Sequence, residues 1–341
     1  MFNLKNQIAR LKGKFARRAV ILMYHSIGEP GIDPWELAVS PSNFEAQLEV
    51  LKKRFKVSGI PDILSDLKNS RLKSDCVGLS FDDGYLDNFI TAKPLLEQYN
   101  LPATFFIPSM PLNGQKFFWW DKLAALILET SVLPAEFSIK IRADFFNYSI
   151  SGERELTDSL RILHRDWVMP CMPPTKRSNV FYTLWKLMLP LSPDEIEKAF
   201  QKLQKVLGVQ SIPMRPESNL MTVEQLKIMG AHRLFNIGVH TVNHIALSHH
   251  SAEIQEEEIL HNKRKLEQVL NTEINALAYP YGDYNSITMK VAKKLGLAAG
   301  FSVENKPVNR FCNPFNLGRF QVKNWKAEEF EKRLNQWMHS N

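Results

Sequence analysis

The sequence predicts an α/β protein built as a parallel β/α barrel, with a helical subdomain inserted between two barrel strands. Short apolar runs rich in β-branched residues alternate with helical patterns, an order typical of parallel β/α folds. The predicted strands cover residues 20–25, 77–81, 103–107, 236–239, 276–279 and 298–303. The 341 residues, 44% of them hydrophobic, suffice for a large core and exclude a disordered chain or a small disulfide scaffold.

The predicted helices between these strands have recognisable ends. Ser42 and Thr222 each precede a Glu or Gln by three residues, a capping-box pattern that opens a helix. Ser251 begins a long helix in which acidic residues, Glu258 among them, come early and basic residues late, as the helix dipole favours. A further helix is expected over residues 286–294.

The alternation stops in residues 113–215, which we predict to be the inserted helical subdomain. This stretch contains proline clusters and, at Ser192, a capping box with proline in the first helical position. Trp119 and Trp120 near its start are expected to be hinge or core aromatics, with a sugar-stacking lid as the weaker alternative. The predicted barrel segments are residues 19–112 and 216–325, followed by a C-terminal helix at 326–341.

The net charge of +7 is concentrated in residues 1–18, a predicted basic amphipathic arm with six basic and no acidic side chains. The rest of the chain is close to neutral, which argues against a nucleic-acid-binding face. Apolar residues recur in the arm at helical spacing, namely Leu4, Ile8, Leu11 and Phe15. We expect the arm either to lie on an anionic membrane surface or to form a solvated helix that caps one end of the fold.

Neither a transmembrane segment nor a signal peptide is expected. The apolar run at 19–24 is too short to span a bilayer, and it lacks a small-residue cleavage site. Three widely spaced cysteines predict neither a disulfide framework nor a zinc ribbon. The expected location is the cytoplasm, peripheral to the inner membrane if the arm binds lipid.

Two adjacent carboxylates, Asp82 and Asp83, followed by Gly84, end the second predicted strand. By itself, Asp-Asp-Gly is commonly a turn that begins a helix. However, neighbouring carboxylates repel each other, so keeping both ionised in a partly buried site requires a nearby cation. A metal bound by one carboxylate would leave the other free to act as a base.

His240 and His244, four residues apart, follow another predicted strand. On a helical turn this spacing brings both imidazoles to one side, where they can share a metal; the alternative is a pair of surface histidines. Two His and one Asp leave coordination positions open, as a catalytic metal site needs. The same ligand set also occurs in non-haem Fe(II) oxygenases, but the second Asp and the β/α pattern disfavour that class.

Two further strand ends carry chemistry. Pro280-Tyr281-Gly282 is either a plain turn or a proline-fixed loop that aims a backbone N–H at an oxyanion, with aromatic rings against which a sugar stacks. His25 ends the first predicted strand and alone would be a core or rim histidine. Because catalytic groups of β/α barrels gather at the carboxyl ends of strands, the four strand ends together predict an active site.

In combination these motifs resemble those of the polysaccharide deacetylases (carbohydrate esterase family 4, the NodB homology domain), over about residues 18–322 apart from the insertion. The resemblance implies a deformed, incomplete (β/α)7-type barrel that removes N- or O-acetyl groups from sugars. Asp82 is then implied as the general base, and the backbone N–H of Tyr281, after Pro280, as part of the oxyanion hole. The implied metal ligands are Asp83, His240 and His244.

Two departures from the family pattern matter. Ala278 stands where the third motif usually begins with an arginine that orients the base, and the usual late histidine is missing. Alanine at this position is similar to the poly-N-acetylglucosamine deacetylase branch, in which a histidine at the end of the first strand is taken to replace the late one. His25 occupies that place. Arg319 is expected either to supply a late positive charge for oxyanion or substrate binding or to form an ordinary surface pair.

The sequence thus predicts a metal-dependent hydrolase that deacetylates N-acetylated sugars of a poly- or oligosaccharide, in cell-surface polysaccharide biosynthesis. One divalent cation is expected, zinc first, with Co, Ni, Fe or Mn as alternatives. The expected partner is an N-acetylated glycan and not a nucleic acid. The alternative, motivated by the two departures, is an inactive deacetylase-like protein that binds carbohydrate or serves in assembly. A haloacid-dehalogenase phosphatase would need Asp-x-Asp, which Asp82-Asp83-Gly84 does not provide.

Overall fold

The structure is a computed structural model that describes residues 17–339. It divides into two compact units, one formed by residues 17–29, 37–113 and 221–339 and the other by residues 30–36 and 114–220. The predicted basic arm, and with it the predicted membrane contact, lies outside the described residues except for Arg17 and Arg18. Arg18 begins the first strand.

The strands and helices of the described residues are numbered in chain order. The strands are β1 (Arg18–Tyr24), β2 (Ser26–Ile27), β3 (Ala38–Val39), β4 (Cys76–Asp82), β5 (Ala103–Ile107), β6 (Glu136–Ile141), β7 (Asp144–Ser149), β8 (Phe235–Val239), β9 (Ala276–Ala278), β10 (Ala299–Phe301), β11 (Val308–Asn309) and β12 (Phe320–Gln321). The helices are α1 (Pro41–Arg54), α2 (Ile60–Lys68), α3 (Lys93–Tyr99), α4 (Trp119–Ala124), α5 (Asp158–Arg165), α6 (Lys176–Met188), α7 (Pro193–Leu207), α8 (Val223–Gly230), α9 (Ala252–Leu270), α10 (Ser286–Lys294) and α11 (Ala327–His339).

A mostly parallel sheet forms the centre of the first unit. Among the described residues its strand order is β10-β9-β8-β5-β4-β1-β11, with β12 also paired to β1 and only β11 antiparallel. The six predicted strands correspond to β1, β4, β5, β8, β9 and β10, with bounds that differ by two residues at most. All seven residues of β4 are buried, as expected for a parallel strand covered on both faces.

The segment 317–321 joins the two edges of this parallel sheet. Leu317 pairs with Phe301 of β10, and Phe320 pairs with Leu22 of β1. Leu317 N donates to Gly300 O at 2.9 Å, so the bridge is hydrogen bonded at its β10 end. The sheet therefore curls into the predicted incomplete β/α barrel, and residue 319 lies in its seam.

The helix ends agree with the sequence in most cases. Thr222 caps α8 through a capping box, Ser251 is the N-cap of α9, and α10 has the expected bounds. The predicted N-cap Ser42 is wrong. Ser40 caps α1 instead, accepting a hydrogen bond from Asn43 N, because Pro41 fits the first helical position, where no N–H is needed.

The second unit is not purely helical. Besides α4 to α7 it contains the antiparallel hairpin β6–β7, which the predicted helical insertion did not include. The segment 30–36 also belongs to this unit: the Trp35 ring meets the Phe181 ring edge-on, with centroids 5.6 Å apart. Trp119 and Trp120 are buried, as expected of core aromatics. The capping box at Ser192 is present at the start of α7.

No helix within residues 17–339 combines the length and apolar character needed to cross a bilayer.

Gly300 in β10 allows Tyr279 to lie directly against the sheet. A methyl group at Gly300 would lie 2.1 Å from Tyr279 Oη, which donates to Phe315 O at 2.9 Å. We therefore expect Gly300→Ala to lower the free energy of unfolding by about 1–3 kcal/mol, measured by urea denaturation. The control Ala298→Ser, at an exposed position, should change it by less than about 0.5 kcal/mol. Equal stability of both variants would contradict the tight contact.

Candidate active site

The β4 strand delivers Asp82 and Asp83 to the carboxyl edge of the sheet. Asp82 is the last residue of β4, and Asp83 and Gly84 follow with φ of 74° and 72°. A Cβ at Gly84 would lie 2.9 Å from the Ile107 side chain, so both the backbone conformation and the space require glycine. The turn separates the two carboxylates, which then face different partners.

Asp83, His240 and His244 meet at this edge. Asp83 Oδ1 lies 3.3 Å from His240 Nε2 and 3.1 Å from His244 Nε2, and all three residues are buried. His240 Nδ1 lies 2.8 Å from Ala278 O, a carbonyl that can only accept, so Nδ1 carries the proton and Nε2 presents a lone pair. Asp83 Oδ1 accepts no hydrogen bond within residues 17–339. A buried carboxylate oxygen beside two buried imidazole nitrogens is a ligand set that fits a bound cation.

The protonation states suit the same interpretation. Burial alone would raise the pKa of Asp83, but His244 and His240 more than offset it, and its pKa lies well below the usual range. Burial lowers the pKa of His244 despite the neighbouring Asp83. An ionised carboxylate beside a neutral imidazole is the form in which these groups bind metal.

The expectation that the two histidines share a helical turn is wrong. Residues 240–244 form a non-helical loop in which Thr241 and His244 have positive φ, 65° and 53°. The left-handed residues fold the loop back on itself, and this turn brings the imidazoles together with ring centroids 4.7 Å apart. The sequence spacing identified the pair but not the backbone that joins it.

Asp82 is paired with Arg319, across the barrel seam. Arg319 is completely buried and donates from Nη1 to Asp82 Oδ1 and from Nη2 to Oδ2, each at 2.7 Å. Its Nε donates to Ser302 O at 3.1 Å, so the guanidinium is fixed in the seam. The surface-pair alternative for Arg319 is therefore wrong. Burial alone would raise the pKa of Asp82, but Arg319 and then His240 offset it and the pKa is lowered.

This pairing also bears on the missing arginine of the third motif. Ala278 has no charge to offer, and Arg319 supplies a guanidinium to the same carboxylate from a distant part of the chain. Arg319 therefore fixes the orientation of the Asp82 carboxylate, while its expected contact with the oxyanion or substrate stays a prediction.

His25 lies at the same site, directly after β1. Tyr24, the last residue of β1, pairs with Phe81 of β4, so the residues that follow them, His25 and Asp82, are neighbours at the same sheet edge. Its Nδ1 is buried and has no hydrogen-bond partner in the described part of the chain. Its backbone carbonyl accepts a hydrogen bond from Asn88 Nδ2 at 2.7 Å, which fixes the strand end.

Pro280 and Tyr281 form the fourth side of the site, after β9. Tyr281 has a φ of 58°, and its ring meets the His244 ring edge-on, with centroids 4.6 Å apart. Tyr279 does not serve as a sugar platform, because its ring is completely buried. Of the two tyrosines, only the partly buried Tyr281 is accessible to a sugar.

Comparison with known proteins gives one family. The polysaccharide deacetylase family model matches residues 69–117 and 214–300, two segments that flank most of the second unit. One relative is YxkH of Bacillus subtilis (strain 168), which is named as a polysaccharide deacetylase by inference. It is 21% identical to this chain over 316 residues, and the match covers 92% of this chain and 75% of YxkH. The resemblance predicted from the motifs is thereby confirmed, since the polysaccharide deacetylase model matches these two segments.

Solved structures share the fold. The Streptococcus pyogenes deacetylase PplD, in complex with acetate, has a TM-score of 0.59 at 19% identity, covering 95% of this chain and all of that one. IcaB from Ammonifex degensii has a TM-score of 0.55 at 16% identity, covering 95% and 98% of the two chains. A de-N-acetylase from Aggregatibacter actinomycetemcomitans has a TM-score of 0.53 at 15% identity, covering 93% and 99%. At these identities the likeness shows the incomplete barrel.

The buried Arg319–Asp82 pair should be strongly coupled. Arg319→Met leaves a buried carboxylate without its cation, so we expect it to lower the free energy of unfolding at neutral pH by about 3–5 kcal/mol. Because the unpaired Asp82 would have a raised pKa, the loss should shrink as the pH falls toward about 5 and the carboxyl is protonated. Chemical denaturation at several pH values measures this.

Two comparisons make that result specific. Adding Asp82→Asn to Arg319→Met should recover part of the lost stability, since no buried charge remains. The exposed Arg310→Met serves as a control and should be nearly neutral. A strictly additive double variant would show that the two side chains do not interact.

Proposed function

We propose that the protein is a metal-dependent hydrolase that removes acetyl groups from N-acetylated sugars of a poly- or oligosaccharide, in cell-surface polysaccharide biosynthesis. The observation that carries the proposal is the meeting of Asp83, His240 and His244 around one buried point, with Asp82 adjacent. The family match supports a glycan substrate. The structural relative described as a de-N-acetylase supports an amide rather than an ester as the bond cleaved.

Asp83 Oδ1 and the Nε2 atoms of His240 and His244 would hold one divalent cation, zinc in the first instance. When bound, the cation supplies Lewis acidity toward the acetamide carbonyl and lowers the pKa of a water molecule. Three protein ligands would leave coordination positions for water and substrate.

Asp82 is the proposed general base. Each of its oxygens accepts one hydrogen bond from Arg319 and keeps a second lone pair for the proton of the attacking water. Arg319 keeps the carboxylate ionised and fixes its orientation, which is what proton abstraction at a set position requires. The arginine is thus a positioning residue for the base.

The tetrahedral oxyanion and the leaving amine need further groups. The backbone N–H of Tyr281, in the loop that begins with Pro280, is the proposed oxyanion donor, because the left-handed turn at Tyr281 lies beside His244. Protonated His25 is the proposed acid, since it follows β1 at the sheet edge where Asp82 and Asp83 follow β4. As the C–N bond breaks, His25 gives its proton to the amine nitrogen, releasing acetate and the free amino sugar.

The inactive alternative has less support. It was motivated by the missing third-motif arginine and the missing late histidine. Arg319 makes the contact with the base that the missing arginine would make, and His25 lies at the site. Binding of zinc without acetate release from any N-acetylated oligosaccharide would nevertheless favour it.

Substitutions at Asp82 and His240 should distinguish a loss of catalysis from a loss of metal binding. We expect Asp82→Asn to retain one zinc per chain but to release acetate from N-acetylglucosamine oligomers about 10²–10⁴-fold more slowly, because the base is lost. His240→Ala should lose both zinc and activity. Elemental analysis and an acetate assay measure the two quantities, with the exposed Asp144→Asn as control. Normal turnover by Asp82→Asn would refute the base assignment.

The role of His25 can be tested with leaving groups. His25→Gln should slow hydrolysis of an N-acetylated oligosaccharide about 10²-fold or more, because the amine cannot leave without a proton. Hydrolysis of 4-nitrophenyl acetate should fall less than about tenfold, because nitrophenolate leaves unprotonated. The control His249→Gln, at an exposed position, should affect neither substrate. An equal loss on both substrates would rule out His25 as the acid.

A further inference from the structure

Residues 240–244, here called the ligand loop, hold both histidine ligands in a strained conformation. Thr241 and His244 are non-glycine residues in the left-handed region, with φ of 65° and 53°. Such conformations persist only where surrounding groups fix the backbone. The groups that fix this loop are therefore part of what brings the imidazoles to Asp83.

Glu258 on α9 provides three of these contacts. Its Oε2 accepts hydrogen bonds from the backbone N–H groups of Val242 and Asn243, both at 2.9 Å. Its Oε1 accepts one from Asn243 Nδ2 at 2.6 Å. The side chain is buried, and all three donors lie between the two histidines. One carboxylate thus holds the middle of the ligand loop.

Asn262, one helical turn further along α9, holds the start of the loop. Its Oδ1 accepts from the backbone N–H of His240 at 2.9 Å, and its Nδ2 donates to Ile107 O at 3.1 Å. Because Ile107 is the last residue of β5, Asn262 ties the loop to the barrel sheet. Backbone donors at 240, 242 and 243 are therefore all satisfied by side chains of one helix.

We propose that Glu258 and Asn262 are positioning residues of the metal centre, which hold the ligand loop in the conformation that directs His240 and His244 toward Asp83. The inference rests on the proposed metal-dependent function and deepens it. A carboxylate suits this position because charge-assisted hydrogen bonds to backbone N–H groups are the stronger ones. Residues that orient metal ligands in this way set metal affinity without touching the metal.

The test measures zinc affinity of the full chain without any substrate. Glu258→Leu preserves much of the side-chain volume and removes all acceptors, and we expect zinc to bind about 10–100-fold more weakly in competition with a chelator. Glu258→Gln keeps one acceptor and loses the charge, so a smaller loss of at least about threefold is expected. Asn262→Leu should weaken binding in the same direction. The control Glu257→Gln, an exposed neighbour on the same helix, should leave affinity unchanged.

Thermal unfolding with and without zinc separates positioning from general stabilisation. If Glu258 acts only on the fold, the melting temperature of its variants falls equally with and without zinc. The zinc Kd of both variants then stays within about twofold of the parent value, and this result would overturn the proposal. If Glu258→Leu does not fold, Glu258→Gln decides by the same criterion. His240→Ala in the same assay tests the metal site itself, and zinc binding retained by this variant would refute the proposed function. If His240→Ala loses zinc but the Glu258 variants bind it as tightly as the parent, only this inference is refuted.

Discussion

Asp82 and Asp83 are adjacent, buried carboxylates, and the electrostatic cost of that pair sets requirements on the rest of the structure. Each needs its own positive partner. Arg319 provides one for Asp82 through two short hydrogen bonds. Asp83 Oδ1 lies 3.3 Å and 3.1 Å from the Nε2 atoms of His240 and His244, and a cation held between these three atoms is the positive partner that we propose for Asp83.

This constraint connects the barrel seam to the chemistry. Arg319 lies in the segment that pairs with β10 on one side and β1 on the other, so closing the sheet is what delivers the guanidinium to Asp82. The other partner arrives from the opposite direction, on a loop whose left-handed residues are held by α9. The fold thus supplies a guanidinium to Asp82 and two imidazoles to its neighbour Asp83.

The sequence predicted the sheet and the ligands because both have local signals: buried strands read as apolar runs, and chemistry follows strand ends. Arg319 was predicted as a site residue, but its pairing with Asp82 was not, since no local pattern indicates which residue lies across a barrel seam from Asp82. The early position of Glu258 in α9 indicates only an acid favoured by the helix dipole, whereas the polar residues on the buried stripe of α9 are the signal for its contacts. The hairpin was missed despite the polar–apolar alternation of β6, which is the period of a half-buried strand.

The most direct test of the central claim is anomalous X-ray diffraction at the zinc edge from crystals of the zinc-loaded protein. We expect a single strong peak within about 2.0–2.2 Å of an Asp83 carboxylate oxygen and of the Nε2 atoms of His240 and His244. Asp82 should remain paired with Arg319 beside it. Zinc bound by other residues, with no peak at Asp83, His240 and His244, would contradict the proposed metal centre.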